Sequence, residues 1–336
     1  MEKNREPRDS HVGSGNFLYC ASPAWEQLPE GMRFRDVVGV ATDSRDRLYV
    51  FHRNENPIVV LDHDGNFLRT WGKGLFVGPH GITIGPDDML YLSDYEDHTV
   101  HKFSPDGERL FTLGTSGQPC DTGIEGLDYR MIERAGPPFH RPTNVALTSE
   151  GEMLISDGYG NARVHKFSSD GEHLFSWGEP GSGPGQFQLP HGIGIDSAGR
   201  VFVADRENSR LQLFTLDGEF IAEWTDLVRP TQVFIDHHDN VFVTELGRRA
   251  GMFPWMEVDL TSSGGRLSVF DREGKLQTRW GGGENPCDPA DFFAPHDICI
   301  DSRGSIYVGE VTYTAGGNRG FVPPECPSLR KFVRKN

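Results

Sequence analysis

The chain has 336 residues, a net charge of −16 and 36% hydrophobic residues. Such a length can fill a large core as one domain. The acidity argues against a nucleic-acid backbone or an anionic membrane as the main partner, and no apolar run is long enough to span a bilayer. Met1–Arg8 is charged and lacks an apolar signal core. Residues 1–15 therefore read as a flexible tail ahead of a single domain over 16–336. Cys20, Cys120, Cys287, Cys299 and Cys326 are odd in number and form no CxxC. This favours reduced thiols in a cytoplasmic protein and argues against a thiolate metal site.

Phe17-Leu18-Tyr19-Cys20 reads as a strand. From Val38 onward one pattern repeats: Val40-Ala41-Thr42-Asp43, Arg47-Leu48-Tyr49-Val50-Phe51, Ile58-Val59-Val60-Leu61, then Asp64-Gly65 and Phe67–Gly72. These are four short strands, the last hairpin marked by Asp-Gly. The pattern recurs over His80–Gly114, Thr143–Gly178, His191–Trp224 and Thr231–Gly281. It starts again at His296 and stops near Val333 without a fourth strand. Six repeats of four strands predict an all-β six-bladed β-propeller. The strand at Phe17–Cys20 completes the sixth blade and closes the ring, which removes both exposed edges. Segments 115–140, 246–264 and 312–327 are too long for blade turns and suit a functional role. The first carries Tyr129, Arg130 and Met131, and the second Arg248, Arg249, Met252, Phe253 and Trp255.

Aligned on Val40, Ile82, Val145, Ile193, Val233 and Ile298, the blades carry Val38, His80, Thr143, His191, Thr231 and His296 two positions earlier. Histidine occupies alternate blades, so three imidazoles converge on the channel axis. Three neutral imidazoles with an open fourth position are a catalytic metal geometry. The ends of the second strands read His52-Arg53, Asp94-Tyr95, Asp157-Gly158, Asp205-Arg206, Glu245-Leu246 and Glu310-Val311. The recurrent acids are expected to tie down amides of the following turn. Arg53 and Arg206 stand in blades one and four, across the channel, where guanidiniums clamp a carboxylate. Either one alone is also readable as a surface arginine. Tyr159 lies at the rim of blade three between two glycines. A metal and two cations beside its phenol would favour the phenolate and make it a general base; ordinary packing is the other reading. Asp297 stands where Gly81 and Gly192 stand in the sister blades. It either caps a turn or reaches a hard cation in the channel.

Asp205-Arg206-Glu207-Asn208-Ser209-Arg210 resembles the NHL repeat. With Phe51-His52-Arg53, Pro79-His80-Gly81, Asp157-Gly158-Tyr159-Gly160-Asn161-Ala162-Arg163, Gly185-Gln186-Phe187, Pro190-His191 and Pro295-His296-Asp297, the set resembles the catalytic domain of peptidyl-α-hydroxyglycine α-amidating lyase over about residues 38–333. The resemblance implies zinc, or iron, on His80, His191 and His296, with Tyr159 as base and Arg53 and Arg206 around a small carboxylate-bearing substrate. It implies a structural calcium held by Asp297 and the backbone carbonyls near Val40 and Ile82. The implied reaction splits the C–N bond of an N-acyl α-hydroxyglycine into an amide and glyoxylate. Two departures stand out: Gly160 and Phe202 occupy positions where the family's secretory members carry disulfide cysteines. The chain also lacks a mono-oxygenase domain to make the hydroxyglycine, so another small hydroxy-substituted metabolite, such as ureidoglycolate, is an alternative substrate. A lactonase-like metal hydrolase and a non-enzymatic binding propeller are the competing functions. The former suits carboxylate and Asn ligands better than three histidines, and the latter gives no reason for their shared register.

Overall fold

The computed structural model describes residues 11–335 except 252, 254, 257, 258 and 260. Residues 1–10 of the expected tail, and Met252 of the second long segment, lie outside the described residues. Six antiparallel blades form a ring around a central channel. Their inner strands are Val37–Thr42, Pro79–Ile84, Pro142–Leu147, Pro190–Ile195, Pro230–Ile235 and Pro295–Ile300. The second strand of every blade is buried along its whole length, whereas the outermost strands of blades one to four are partly exposed along nearly all of theirs. The core therefore lies between blades rather than within one sheet, and the second strands read as almost unbroken apolar runs for that reason.

Strand Phe17–Ala21 pairs with Leu329–Arg334 and closes blade six as expected. A correction concerns the tail: His11–Ser14 is itself a strand, paired with Phe17–Ala21 through Val12↔Tyr19, and makes blade six five-stranded. The cysteine reading also needs correction. Cys287 and Cys326, 39 residues apart, form a disulfide, while Cys20, Cys120 and Cys299 are free. The bridge joins two irregular segments, so no strand periodicity announces it. Among the described residues no helix is long and apolar enough to cross a membrane.

Every inner strand carries a β-bulge within its first residues. In blade two Pro79 pairs with Asp94 and Ile82 with Leu92; in blade six Pro295 pairs with Glu310 and Asp297 with Gly309. The same shift recurs in the other four blades. A bulge frees a residue from the ladder and re-aims its side chain. Here it falls at Val38, His80, Thr143, His191, Thr231 and His296. The acids ending the second strands serve this geometry. They tie down amides of the segment entering the inner strand more than those of the following turn. Asp94 accepts Val77 and Gly78 N–H at 2.7 Å, Asp205 accepts Gln188 N–H, and Glu310 accepts Phe293 and Ala294 N–H. Asp94 also reaches Asp97 N–H in the turn. The three long segments meet on the face that holds the bulges. Tyr129 packs 5.4 Å from Phe253, and Gly251 N–H donates to Ala315 O.

Blade one carries His52 where the other blades carry an acid. The ring is 2% exposed and lies edge-on to Phe34 at 5.1 Å. Burial pushes its pKa from 6.5 to about 4, and the Asn56 backbone offsets only part of this. A depressed histidine pKa contributes stability that is whole above the unfolded value and is lost as pH falls through the folded one. His52 should therefore cost the fold roughly 3 kcal/mol between pH 6.5 and 4. His52→Phe preserves the edge-on contact and should flatten that part of the curve. Urea unfolding of both proteins at pH 7 and 4.5 measures it, and equal losses in the two would refute the assignment.

Candidate functional site

The three histidines meet. One nitrogen from each of His80, His191 and His296 lies within 4.8 Å of the others, and the ring centroids are 4.7–4.8 Å apart. Each Nδ1 bonds the carbonyl of the bulge residue in the next blade: His80 to Thr143 O at 2.8 Å, His191 to Thr231 O at 2.7 Å and His296 to Val38 O at 2.8 Å. A carbonyl only accepts, so every Nδ1 carries the hydrogen and every Nε2 presents a lone pair. The glycines behind two of the rings allow this approach. A Cβ on Gly81 would sit 2.4 Å from Thr143 O, and one on Gly192 would sit 2.6 Å from Thr231 O.

All three imidazoles are held neutral. Burial depresses His80 first, aided by His296 and Arg53. It depresses His191, aided by the other two histidines and Arg206, and it pushes His296 down to about 3, aided by Arg53. Nε2 of His80 and of His296 is buried without a hydrogen-bond partner among the described residues. Orphaned buried acceptors are rare. Three convergent neutral nitrogens, two of them orphaned, fit a divalent cation, and the cluster could hold one. A second acidic cluster, Asp94, Asp97 and His101, fits a cation poorly. Both His101 nitrogens already engage Thr99 and Thr112, and Asp94 is occupied by amides.

Tyr159 stands against this cluster. Its hydroxyl is 3.2 Å from His191 Nε2 and 3.1 Å from Arg206 Nη1, and the residue is 4% exposed. Its small neighbours are required for space: a Cβ on Gly158 would meet Pro190 O at 2.2 Å, and one on Gly160 would meet the His140 ring at 2.2 Å. The Arg206 guanidinium is completely buried. Its Nε donates to Glu207 at 2.8 Å, Nη1 to Tyr159, and Nη2 has no partner among the described residues. Arg53 is half-buried, its guanidinium 5.5 Å from the centre of the Tyr95 ring. Asp297 lies in the channel beyond the histidines. Its carboxylate accepts the N–H of Val40 and of Ile298 at 2.9 Å, and Val40 and Ile82 line the same cavity of about 370 Å³. Burial raises its pKa to about 7 against those hydrogen bonds.

Sequence reasoning passed over Glu207 and Arg229. The Glu207 carboxylate accepts from Arg206, from Arg229 Nε and Nη2 at 3.1 and 3.0 Å, and from the Tyr129 hydroxyl at 3.4 Å. Burial would raise its pKa, but the two guanidiniums overcome this and hold it below the usual carboxylate range. Arg229 also donates to Gly247 O and Ala250 O, at the root of the second long segment. The one available signal was that Glu207 follows Arg206 directly. Tyr129, from the first long segment, has its phenol pushed up to about 12 by burial and by Glu207. Burial likewise raises that of Tyr95. Phe253 packs 5.5 Å from the Arg206 guanidinium and 6.2 Å from Tyr159 and covers both.

Two segments, 76–103 and 187–214, match the NHL repeat. The chain is 31% identical over 362 residues to rat peptidylglycine alpha-amidating monooxygenase, covering 92% of this chain but only 34% of that protein. It therefore spans about a third of that relative's length. It is 27% identical to Drosophila melanogaster peptidyl-alpha-hydroxyglycine alpha-amidating lyase 1, covering 88% of this chain and 58% of the fly protein. It is 33% identical over 296 residues to mouse NHL repeat-containing protein 3, covering 81% of this chain and 76% of that one. The matched repeats fall on blades two and four, both of which carry a histidine of the cluster. With a relative aligned over most of both chains, the protein belongs to the NHL-repeat β-propeller family and resembles its peptidyl-α-hydroxyglycine α-amidating lyases.

Proposed function

We propose that the protein is a metal-dependent carbon–nitrogen lyase that splits an N-acyl α-hydroxyglycine, R–CO–NH–CH(OH)–COO⁻, into the amide and glyoxylate. One observation supports this most: three neutral imidazoles, a phenol and a buried guanidinium with a free Nη2 converge on one point. Zinc or iron, held by Nε2 of His80, His191 and His296, would supply Lewis acidity that lowers the pKa of the substrate hydroxyl. Tyr159 acts as the base that takes the hydroxyl proton. The freed electron pair forms the aldehyde C=O, the C–N bond breaks, and its electrons stay on nitrogen. Tyr159 returns the proton to that nitrogen, so the step balances without an oxidant. Arg206 Nη2 and Arg53 hold the substrate carboxylate and orient the reacting carbon. Glu207 keeps Arg206 pointed at Tyr159 through Nη1 while leaving Nη2 for the substrate.

Asp297 is a buried carboxylate without a cationic side chain paired to it among the described residues. A calcium ion in the channel beside Val40 and Ile82 would hold it ionised. The Cys287–Cys326 bridge suits an oxidising compartment better than the cytoplasm expected from the cysteine count.

Four outcomes are expected. Chelator-stripped protein should bind one equivalent of Zn²⁺ in calorimetry, and His191→Ala should not; equal binding by both removes the metal centre. Metal-loaded protein should release glyoxylate from N-acyl α-hydroxyglycines. Tyr159→Phe should keep its metal but lose roughly 10²–10⁴ in kcat, and wild-type turnover with full metal would exclude Tyr159 as the base. Glu207→Gln should keep its metal and raise KM for the carboxylate substrate about tenfold, near the 1.4 kcal/mol expected of one charge-assisted contact. A fall in kcat alone would argue that Glu207 does not position Arg206 for binding.

A further inference from the structure

The phenol of Tyr159 is only as well placed as the backbone that carries it. That backbone is Gly158-Tyr159-Gly160, and glycine on both sides gives it unusual conformational freedom. Neither glycine has a side chain to pack the turn in place, so the hold comes from the first long segment. Thr122 Oγ1 donates to Gly160 O at 2.6 Å and lies 3.0 Å from His140 Nδ1. A carbonyl only accepts, and a hydroxyl has a single hydrogen. With that hydrogen on Gly160 O, Thr122 accepts at His140, so His140 Nδ1 carries a hydrogen. The bonds therefore run one way, from His140 N–H to Thr122 O–H to Gly160 C=O.

Both Thr122 and His140 are buried, and the surrounding backbone is fixed. His140 N–H donates to Asp157 Oδ2 at 2.7 Å, and the same oxygen accepts from Asn161 Nδ2 at 2.9 Å. Asn161 Oδ1 in turn accepts Gly136 N–H at 3.2 Å. The turn is thus gripped at Asp157 before Tyr159 and at Gly160 and Asn161 after it, each time by residues 122–140. Phe139, just before His140, has φ 58°, in the left-handed region that a bulky residue seldom adopts. Phe76, Phe187, Leu227 and Phe292, at the same place in blades two, four, five and six, do not share it. Strain of this kind persists where the surroundings fix it, and it gathers at functional sites. Here it accompanies the His140 ring packed against Gly160, where a Cβ would meet it at 2.2 Å. Among the described residues the Thr122 hydroxyl bonds His140 and Gly160 and no side chain of the histidine centre.

Taking the lyase reading as given, we infer that Thr122, oriented by His140, is a positioning residue for the base. It holds the Gly158–Gly160 turn so that the Tyr159 hydroxyl stays on His191 Nε2 and Arg206 Nη1. A base acts only within hydrogen-bond reach of its proton, about 2.6–3.2 Å, and a misplacement of about 1 Å costs roughly 10²-fold. Without the Thr122 hydroxyl, Gly160 O and His140 Nδ1–H both lose a buried partner, and the turn is free to shift along its two glycines. The three histidines and Arg206 are held by other bonds. The effect therefore falls on proton transfer rather than on binding of metal or substrate. Through Thr122 the first long segment serves catalysis by holding the base in place.

The test compares Thr122→Val, which keeps the shape and removes the hydroxyl, with Thr122→Ser, which keeps the hydroxyl. Both are loaded with zinc, and glyoxylate release from N-benzoyl-α-hydroxyglycine is followed. Thr122→Val should bind as much Zn²⁺ as the wild type, keep KM within about twofold and lose about 10–100-fold in kcat. Thr122→Ser should retain most of kcat. In a Tyr159→Phe background Thr122→Val should cost nothing more, because the hydroxyl it positions is gone. Amide exchange of the metal-free protein, read by mass spectrometry, should quicken over 157–161 in Thr122→Val and stay unchanged over Val201–Asp205. If Thr122→Val does not fold, His140→Phe, which keeps a flat ring against Gly160 and removes the orienting N–H, carries the same comparison. Wild-type kcat in Thr122→Val, a further loss of the same size in the Tyr159→Phe background, or unchanged exchange over 157–161 would overturn the positioning role and leave the lyase standing. No glyoxylate from the wild type would overturn the lyase reading, and the exchange data alone would then decide whether Thr122 holds the turn.

Discussion

The hydrogen bond from each histidine Nδ1 to the bulge carbonyl of the next blade carries the centre. It sets the tautomer, so that Nε2 of all three rings presents a lone pair. It couples ring position to blade packing, because donor and acceptor belong to neighbouring sheets. The bulge frees the residue, the acid at the end of the second strand pins the segment leading to it, and glycine after the histidine in blades two and four lets the neighbouring backbone close in. Loss of any of these would move an imidazole by more than a metal bond tolerates.

The electrostatics around that centre are layered. The site excludes charge from the imidazoles by burial and surrounds them with guanidiniums. Arg206 is the one fully buried cation in direct contact with the phenol, and a buried cation needs compensation. Glu207 supplies it, yet Glu207 is shared with Arg229. Two guanidiniums against one carboxylate leave a positive excess where an anionic substrate group would sit. Arg229 extends the network to the backbone of the segment that carries Phe253, so the cover over the site and the charge within it rest on the same carboxylate.

Much of this was legible in the sequence because propellers repeat. A repeat turns positions far apart in the chain into one register, and His80, His191 and His296 stand out there although each alone is unremarkable. Strand direction alone puts the ends of the second strands, with Arg53 and Arg206, on the histidine face; that Tyr129 and Phe253 of the long segments share it comes from the structure. What stayed hidden lies outside the repeat. Glu207 meets Arg229 across 22 residues through side chains whose direction no periodicity reports. Cys287 and Cys326 sit in irregular segments with no shared register. His11–Ser14 carries a glycine and two polar residues in four positions, too short and mixed to read as a strand. The acids were read as turn anchors because turns are local, whereas their partners are amides of the segment leading into the inner strand.

Because each imidazole leans on a carbonyl from the following blade, the ring is composed of donor blades and acceptor blades in strict alternation. The structural unit is therefore a pair of blades, and the molecule holds three such pairs. Parity becomes a constraint on the architecture. Insertion or loss of a single blade would bring two blades of one kind side by side, stranding one imidazole without its carbonyl or one carbonyl without its imidazole. A centre of this design can change size only by whole pairs, and each added pair would bring a further ligand and a wider channel. Three convergent imidazoles and a ring of six are thus one and the same choice.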